Sequence, residues 1–301
     1  MRALLIDPSA PRGLRLGEAA EPTPAANQAV VEVKAISLNY GEVAGLQGGQ
    51  AGEVNGWDAA GVVVEAAANG TGPAVGSRVV TFDWGRGWAQ LRAVDTGQLA
   101  VVPDGVDLGE ASALPVAAGT ALQALRRLGS ILGRRVLITG ASGGVGRFAV
   151  QLAAKSGAHV IASVGSVGRG DGLRELGADE VVVGVDGVEA PLHGVLDNVG
   201  GPNLARAFGL LAEGGVIQSI GATSAEPTVF EPYATVGAHR RLESFRLDGK
   251  IADDLAYLAG LLDTGALDPQ VGWRGGWESY EDAIEALLSR KVAGKAVLDV
   301  A

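Results

Sequence analysis

An α/β protein in two parts, a β-rich first third and a doubly wound parallel sheet in the middle, is predicted by three observations. Residues 135–155, RVLITGASGGVGRFAVQLAAK, set a short apolar strand, a glycine turn and an amphipathic helix in immediate succession. Short β-type runs broken by Gly, Pro and Asn fill residues 1–112. Strand and helix patterns then alternate through residues 159–220, as in a parallel sheet wound with helices.

The first third holds strand patterns at 29–36, 60–65, 78–82 and 88–94, which suit a small barrel or sandwich. From residue 111 the texture turns to alanine and leucine, ASALPVAAGTALQALRRLG, a helix leading into the glycine-turn strand. Strands are expected at 159–163, 180–183, 194–196 and 215–220, with helices near 172–176 and at 203–211. An edge strand at 244–247, helices at 253–262 and 283–288 and a strand at 295–300 complete the chain. That last strand has the texture of the first third, so the chain is expected to return there. The boundaries read as 1–114 with 267–301 for one domain and 115–266 for the other.

Composition narrows the chemistry. The chain has 301 residues, 47% hydrophobic and 19% charged, which is globular rather than disordered. No apolar run approaches the roughly 18 residues of a membrane span, and the N-terminus reads as strand and turn, so a cytoplasmic location is expected. There is no cysteine, and His159, His193 and His239 are not at ligand spacing, so no metal is expected. A formal charge of −10 argues against a nucleic-acid surface.

The glycine turn has a physical use. Gly140, Gly143, Gly144 and Gly146, with Val145 between the last two, let the backbone turn sharply and lie close to a pyrophosphate. The helix that follows presents unpaired N–H groups to that anion. At the end of the next strand a carboxylate would accept from a free ribose 2′-hydroxyl. This chain has Gly165, Ser166 and Arg169 there and no acid before Asp171, a pattern that suits the 2′-phosphate of NADPH. Asn198, in the run Asp197-Asn198-Val199-Gly200, and Gly221 close two further strands, where they can border the nicotinamide ribose.

Together these residues resemble the zinc-independent medium-chain dehydrogenase/reductases, in the quinone oxidoreductase and enoyl reductase branch. The resemblance rests on LNY at 38–40, GWDAAGVV at 56–63, PVAAGTALQAL at 115–125, GASGGVG at 140–146, DNVGG at 197–201 and AGKAVLDV at 293–300. It implies a GroES-like catalytic domain built from both chain ends, a central Rossmann domain, and NADPH delivering hydride in the cleft between them. It also implies that Asn39 and Thr120 lie beside the cofactor and that Arg290 joins Arg169 at the phosphate. Zinc-dependent members place a cysteine near Asn39 and a histidine–glutamate pair at Trp57 and Asp58; Trp57 cannot ligate zinc. Gly184 stands where several relatives have an adenine-stacking tyrosine, and Ala222 where many have an asparagine.

The expected substrate is a small apolar quinone or enone. Reduction puts negative charge on a carbonyl oxygen, and the phenol of Tyr40 is the nearest candidate to stabilise it. Trp57, Trp84 and Trp88 can line the apolar pocket or fill the core. The resemblance further implies a homodimer. A non-redox reading, a lyase, cyclase or cofactor-sensing protein that keeps NADP(H) bound, stays open at this point.

Overall fold

Strand pairing in the first unit follows the apolar pattern of the sequence. In the computed structural model, which describes residues 1–301, this unit comprises Met1–Gly119 and Asp248–Ala301. Strand β1 (Arg2–Ile6) pairs antiparallel with β2 (Leu14–Glu18). The eleven-residue β3 (Gln28–Leu38) is the spine of the main sheet. Helix α1 (Tyr40–Gly45) follows it directly, and β4 (Asp58–Glu65) returns along one edge of β3. β5 (Arg78–Phe82), β6 (Leu91–Asp95) and β7 (Leu99–Val101) complete the consecutive strands. β6 pairs with residues 28–32 of β3 and leaves residues 35–38 of that edge open.

The helix expected from residue 111 is broken into three. After α2 (Leu108–Ser112), residues Leu114–Ala118 form a π-helical turn, and α3 (Gly119–Arg127) begins behind it. Pro115 has no N–H to give a helix. The N–H of Val116 leaves the helical ladder and donates to the Asp58 carboxylate at 3.0 Å.

The second unit, Thr120–Leu247, is a six-stranded parallel sheet. Strand β8 (Arg135–Thr139) is followed by α4 (Gly144–Lys155), β9 (His159–Val164) and β10 (Glu180–Val183). Then come β11 (Leu192–Asp197), α5 (Gly201–Gly209), β12 (Leu211–Ser219) and β13 (Arg241–Ser244). The spatial order is β10-β9-β8-β11-β12-β13, so the winding reverses between β8 and β11. The crevice outside the carboxyl ends of those two strands is where such sheets bind ligands. Two local expectations are corrected. The helix near 172–176 is absent: a 3-10 turn at Val167–Gly170 is followed by irregular turns, and glycines at 168, 170, 172 and 177 do not sustain a helix. The edge strand ends at Ser244 instead of starting there, because pairing with β12 runs from Arg241 to Ser244.

The chain then re-enters the first unit. Helix α6 (Ala252–Asp263), read from the sequence as part of the middle domain, packs on β7 and the π-helical turn. β14 (Val271–Gly276), α7 (Tyr280–Leu288) and β15 (Lys295–Asp299) follow. β15 pairs antiparallel with the open stretch of β3 and parallel with β14. The result is a core shared by both chain ends, with Leu4, Ile36, Leu46, Trp88, Trp277, Ile284 and Leu298 in one buried cluster. β14 carries three glycines and no apolar alternation, which hides it from periodicity.

Arg274 of β14 holds this closure from outside. Its Nη1 lies 2.6 Å from Asp107 Oδ1, and its Nε and Nη2 reach the two Asp299 oxygens at 2.9 and 2.8 Å. The side chain is 40% exposed, so solvent screens much of the attraction. Arg274→Met keeps the stem and removes both pairs; we expect a loss of about 1 kcal/mol at pH 7, read from the urea midpoint. An unchanged midpoint would show that the two pairs add nothing.

Candidate functional site

Two groups of residues carry chemistry, one in each unit. In the second unit the glycine turn leaves β8 at Thr139, and Gly140 adopts φ +61°. Gly143 is the N-cap of the twelve-residue α4, so Gly144, Val145 and Gly146 form its first turn. A Cβ on Gly146 would lie 2.4 Å from the Gly140 carbonyl oxygen and 2.5 Å from Ala141 Cα. Only glycine permits the helix to press so closely on the turn. Ser142, within the turn, is 4% exposed and its Oγ has no hydrogen-bond partner.

The neighbouring strand ends converge on the same edge. Buried Asp197 accepts from Thr139 Oγ1 at 2.6 Å and from the Gly200 N–H at 2.9 Å. Burial raises its carboxyl above the usual range, against those hydrogen bonds. Asn198 Nδ2 donates to the Thr139 carbonyl at 2.8 Å, which ties the end of β11 to the end of β8. Its amide is therefore engaged inside the protein. Gly221 donates to the Asp197 carbonyl, and a Cβ there would meet the Asn198 carbonyl oxygen at 2.9 Å. Gly140, Gly146, Asn198 and Gly221 are thus brought together.

Gly165, Ser166 and Arg169 gather at the end of β9. Gly165 and Ser166 are exposed, and Arg169 Nη1 would be 3.4 Å from a Cβ on Gly165. No carboxylate interrupts this stretch before Asp171. Gly184 continues from β10 with φ +66°, and its carbonyl accepts from Ser163 Oγ. Thr120 is buried near the start of α3 in the same unit. His159 sits at the opposite end of β9, paired with Glu180.

The first unit holds a buried polar network that the sequence reading does not anticipate. Lys295 Nζ, 2% exposed, donates to the Leu38 carbonyl at 3.0 Å, Asn39 Oδ1 at 2.6 Å and Asp58 Oδ2 at 3.3 Å. Asn39 Nδ2 donates to Glu42 Oε2 and to Asp58 Oδ2, both at 2.8 Å. Ser37 Oγ also donates to Asp58 Oδ2. Glu42 accepts from the backbone N–H of Asn39 and of Trp57. Burial, together with the Asp58 charge, pushes the Glu42 carboxyl up to about 8. Every hydrogen-bond partner of Glu42 is a donor, so geometry favours the carboxylate that burial opposes.

Both amide hydrogens of Asn39 are taken, so this side chain can offer a ligand only a remaining lone pair of Oδ1. Glu42 was legible as the third helical residue after an asparagine cap, a capping-box spacing. Lys295 was not, because nothing local marks the lysine of a C-terminal strand as buried.

Tyr40, the residue after Asn39, is 41% exposed. Trp57 packs beside it against Gly41, and Trp57 and Trp84 meet edge to face at 5.0 Å. Of the two alternatives Trp88 takes the core: it is fully buried against Gly56, whose φ is +106°. Arg290, also with positive φ, is exposed beyond α7 in this unit. No group of three or more His, Cys, Asp or Glu side chains is arranged to hold a metal ion, and no helix is long and apolar enough to cross a membrane.

Two family models match the chain. Residues 25–120 match the alcohol dehydrogenase GroES-like domain and residues 144–259 the zinc-binding dehydrogenase domain. The chain is 32% identical over 298 residues, 91% of its length, to erythronolide synthase EryA2 of Saccharopolyspora erythraea, and it spans 8% of that protein. It resembles the solved quinone oxidoreductase from Coxiella burnetii with a TM-score of 0.88 and 26% identity, over 100% of this chain and 99% of that one. It resembles an NAD-dependent alcohol dehydrogenase with a TM-score of 0.89 and 25% identity over the whole of both chains.

Removing Lys295 leaves the buried Asp58 without a counter-charge. Lys295→Met is expected to cost about 3–5 kcal/mol in urea unfolding. Lys295→Met combined with Asp58→Asn should recover part of that loss, and a double variant no better than the single one would refute the pairing.

Proposed function

We propose, from the fold of a zinc-independent medium-chain dehydrogenase/reductase structurally close to the quinone oxidoreductases and enoyl reductases, that this chain is an NADPH-dependent reductase of quinones or α,β-unsaturated carbonyls. The observation that carries the reading is the glycine turn at the point where the winding of the parallel sheet reverses. The Gly146 contact keeps the backbone low enough for a pyrophosphate to approach, the start of α4 offers N–H groups to it, and Ser142 Oγ is an unpaired polar atom in the same turn. These residues fit the cofactor.

Gly143, Gly144, Val145 and Gly146 would hold the pyrophosphate, and Gly165, Ser166 and Arg169 the 2′-phosphate. Thr120, Asn198 and Gly221 would border the rest of the dinucleotide. NADPH, when bound, supplies the hydride. Tyr40 donates a hydrogen bond to the acceptor's carbonyl oxygen and steadies the charge that develops there. Asn39 has no hydrogen left for that task.

Oxidation of NADPH should follow mixing the pure protein with members of a quinone and enone panel. Tight NADPH binding with no turnover on any of them would refute the reductase reading in favour of a cofactor-retaining, non-redox protein. Arg169→Ala should weaken NADPH by about 1.5–3 kcal/mol and leave NADH unchanged, as measured by calorimetric titration. An equal loss for both cofactors would refute the 2′-phosphate assignment. Tyr40→Phe should lower kcat for an enone by roughly 10²-fold or more, with NADPH affinity unchanged. An unaltered kcat would exclude the phenol from the reaction.

A further inference from the structure

Two large aromatic side chains of the first unit are exposed. Tyr40 and Trp84 are 41% and 42% exposed, whereas the other tryptophan of this stretch, Trp88, is fully buried. A Cβ on Gly41 would already touch the Trp57 ring at 3.2 Å, so Trp57 lies on the start of α1 next to Tyr40. Trp84 meets Trp57 edge to face at 5.0 Å and 78°, and Phe82 at 5.0 Å and 76°.

The segment that carries Trp84 is pinned from beneath. Arg92, on β6, is 1% exposed and has no carboxylate in ion-pair contact. Its Nη2 donates to the Asp83 and Gly85 carbonyls, on either side of Trp84, at 3.1 and 3.0 Å. Its Nη1 donates to Thr81 Oγ1 at 2.9 Å, and its Nε has no partner. Burial lowers its pKa to about 10, against the pull of Asp83, Asp58 and Glu42. A buried guanidinium without a contacting anion is costly to keep. What it does here is hold two carbonyls of one exposed loop.

We propose that Trp84, backed by Trp57, is a specificity-determining wall that selects flat conjugated acceptors over small aliphatic ones, and that Arg92 is the positioning residue that keeps this wall rigid. The inference rests on the reductase reading for the place of Tyr40 at the reaction. Aromatic faces reward a flat ring with area and quadrupole contacts that a small aliphatic enone cannot match. Rigidity matters because a ligand that must first order its wall binds more weakly.

The test uses the whole protein, menadione as the flat acceptor and cyclohexenone as the small one. Equilibrium dialysis without NADPH measures menadione binding, and NADPH oxidation measures both substrates. Trp84→Ala should weaken menadione binding and raise its KM by about tenfold or more, with kcat little changed and kcat/KM for cyclohexenone within about threefold of the native value. Arg92→Met should shift menadione in the same direction and speed tryptic cleavage after exposed Arg86; Arg92→Lys, which keeps the charge but not the fork, replaces it if the Met variant does not fold. Unchanged menadione affinity in Trp84→Ala, or equal losses for both substrates, would overturn the wall. Unchanged affinity and cleavage in the Arg92 variant would overturn its positioning role. Trp84-dependent menadione binding without NADPH oxidation would defeat the reductase reading alone. Menadione turnover insensitive to Trp84 would defeat the wall alone, and a protein that neither binds nor reduces menadione defeats both.

Discussion

One buried ammonium determines how the first unit is closed. Lys295 arrives on the last strand, and its three acceptors come from β3, the residue that follows it, and the start of β4. A charge at 2% exposure must be met by fixed acceptors, or folding would be opposed by several kcal/mol. Meeting it fixes the register of β15 on β3, with Ala296 opposite Leu38. The same register sets Trp277 and Ile284 of the C-terminal segment against Leu4 and Trp88 of the N-terminal one. Packing supplies the bulk of the free energy, while the polar network selects one arrangement of the packed pieces.

The second unit solves a different problem. A parallel sheet buried by helices leaves polar backbone at the strand ends, and these must be satisfied or solvated. At the ends of β8 and β11 the Thr139, Asp197 and Asn198 side chains satisfy one another and the loop N–H groups. The turn at 140–146 is therefore held from the side, and the first N–H groups of α4 have no intrahelical acceptor. Asn198 acts in this clasp first, and any contact it makes with a ligand comes through what the clasp leaves over.

What the sequence made legible follows from range. The glycine turn with its strand and helix is a local pattern, read within about twenty residues, and it has its counterpart in the fold; the longer alternation of strands and helices has one too, apart from the helix near 172–176. The asparagine cap of α1 was local too, but its glutamate looked like one more acid. Lys295 and Arg92 were illegible because burial of a charge is decided by a residue 237 positions away in one case and by loop carbonyls in the other. The broken helix at Pro115 lies between these limits. The proline is a local signal of the break that the expected single helix passes over, and only the fold shows that the N–H of Val116 goes to Asp58.

The resemblance marks three positions, Asn39, Trp57 and Asp58, at which zinc-dependent members are expected to carry metal ligands, and in this chain all three have other tasks. Asn39 has become the hub of a saturated hydrogen-bond network, with an ammonium on its oxygen and carboxylates on both hydrogens. Trp57 has become part of an aromatic surface, with its backbone N–H fastened to the same network through Glu42. The network therefore anchors the surface: Glu42 holds Trp57 from below, as Arg92 holds the loop of Trp84. Positioning is carried by buried charge and contact by exposed rings. Tyr40 sits one residue from the hub and one from Gly41, on which the Trp57 ring packs, and it is exposed.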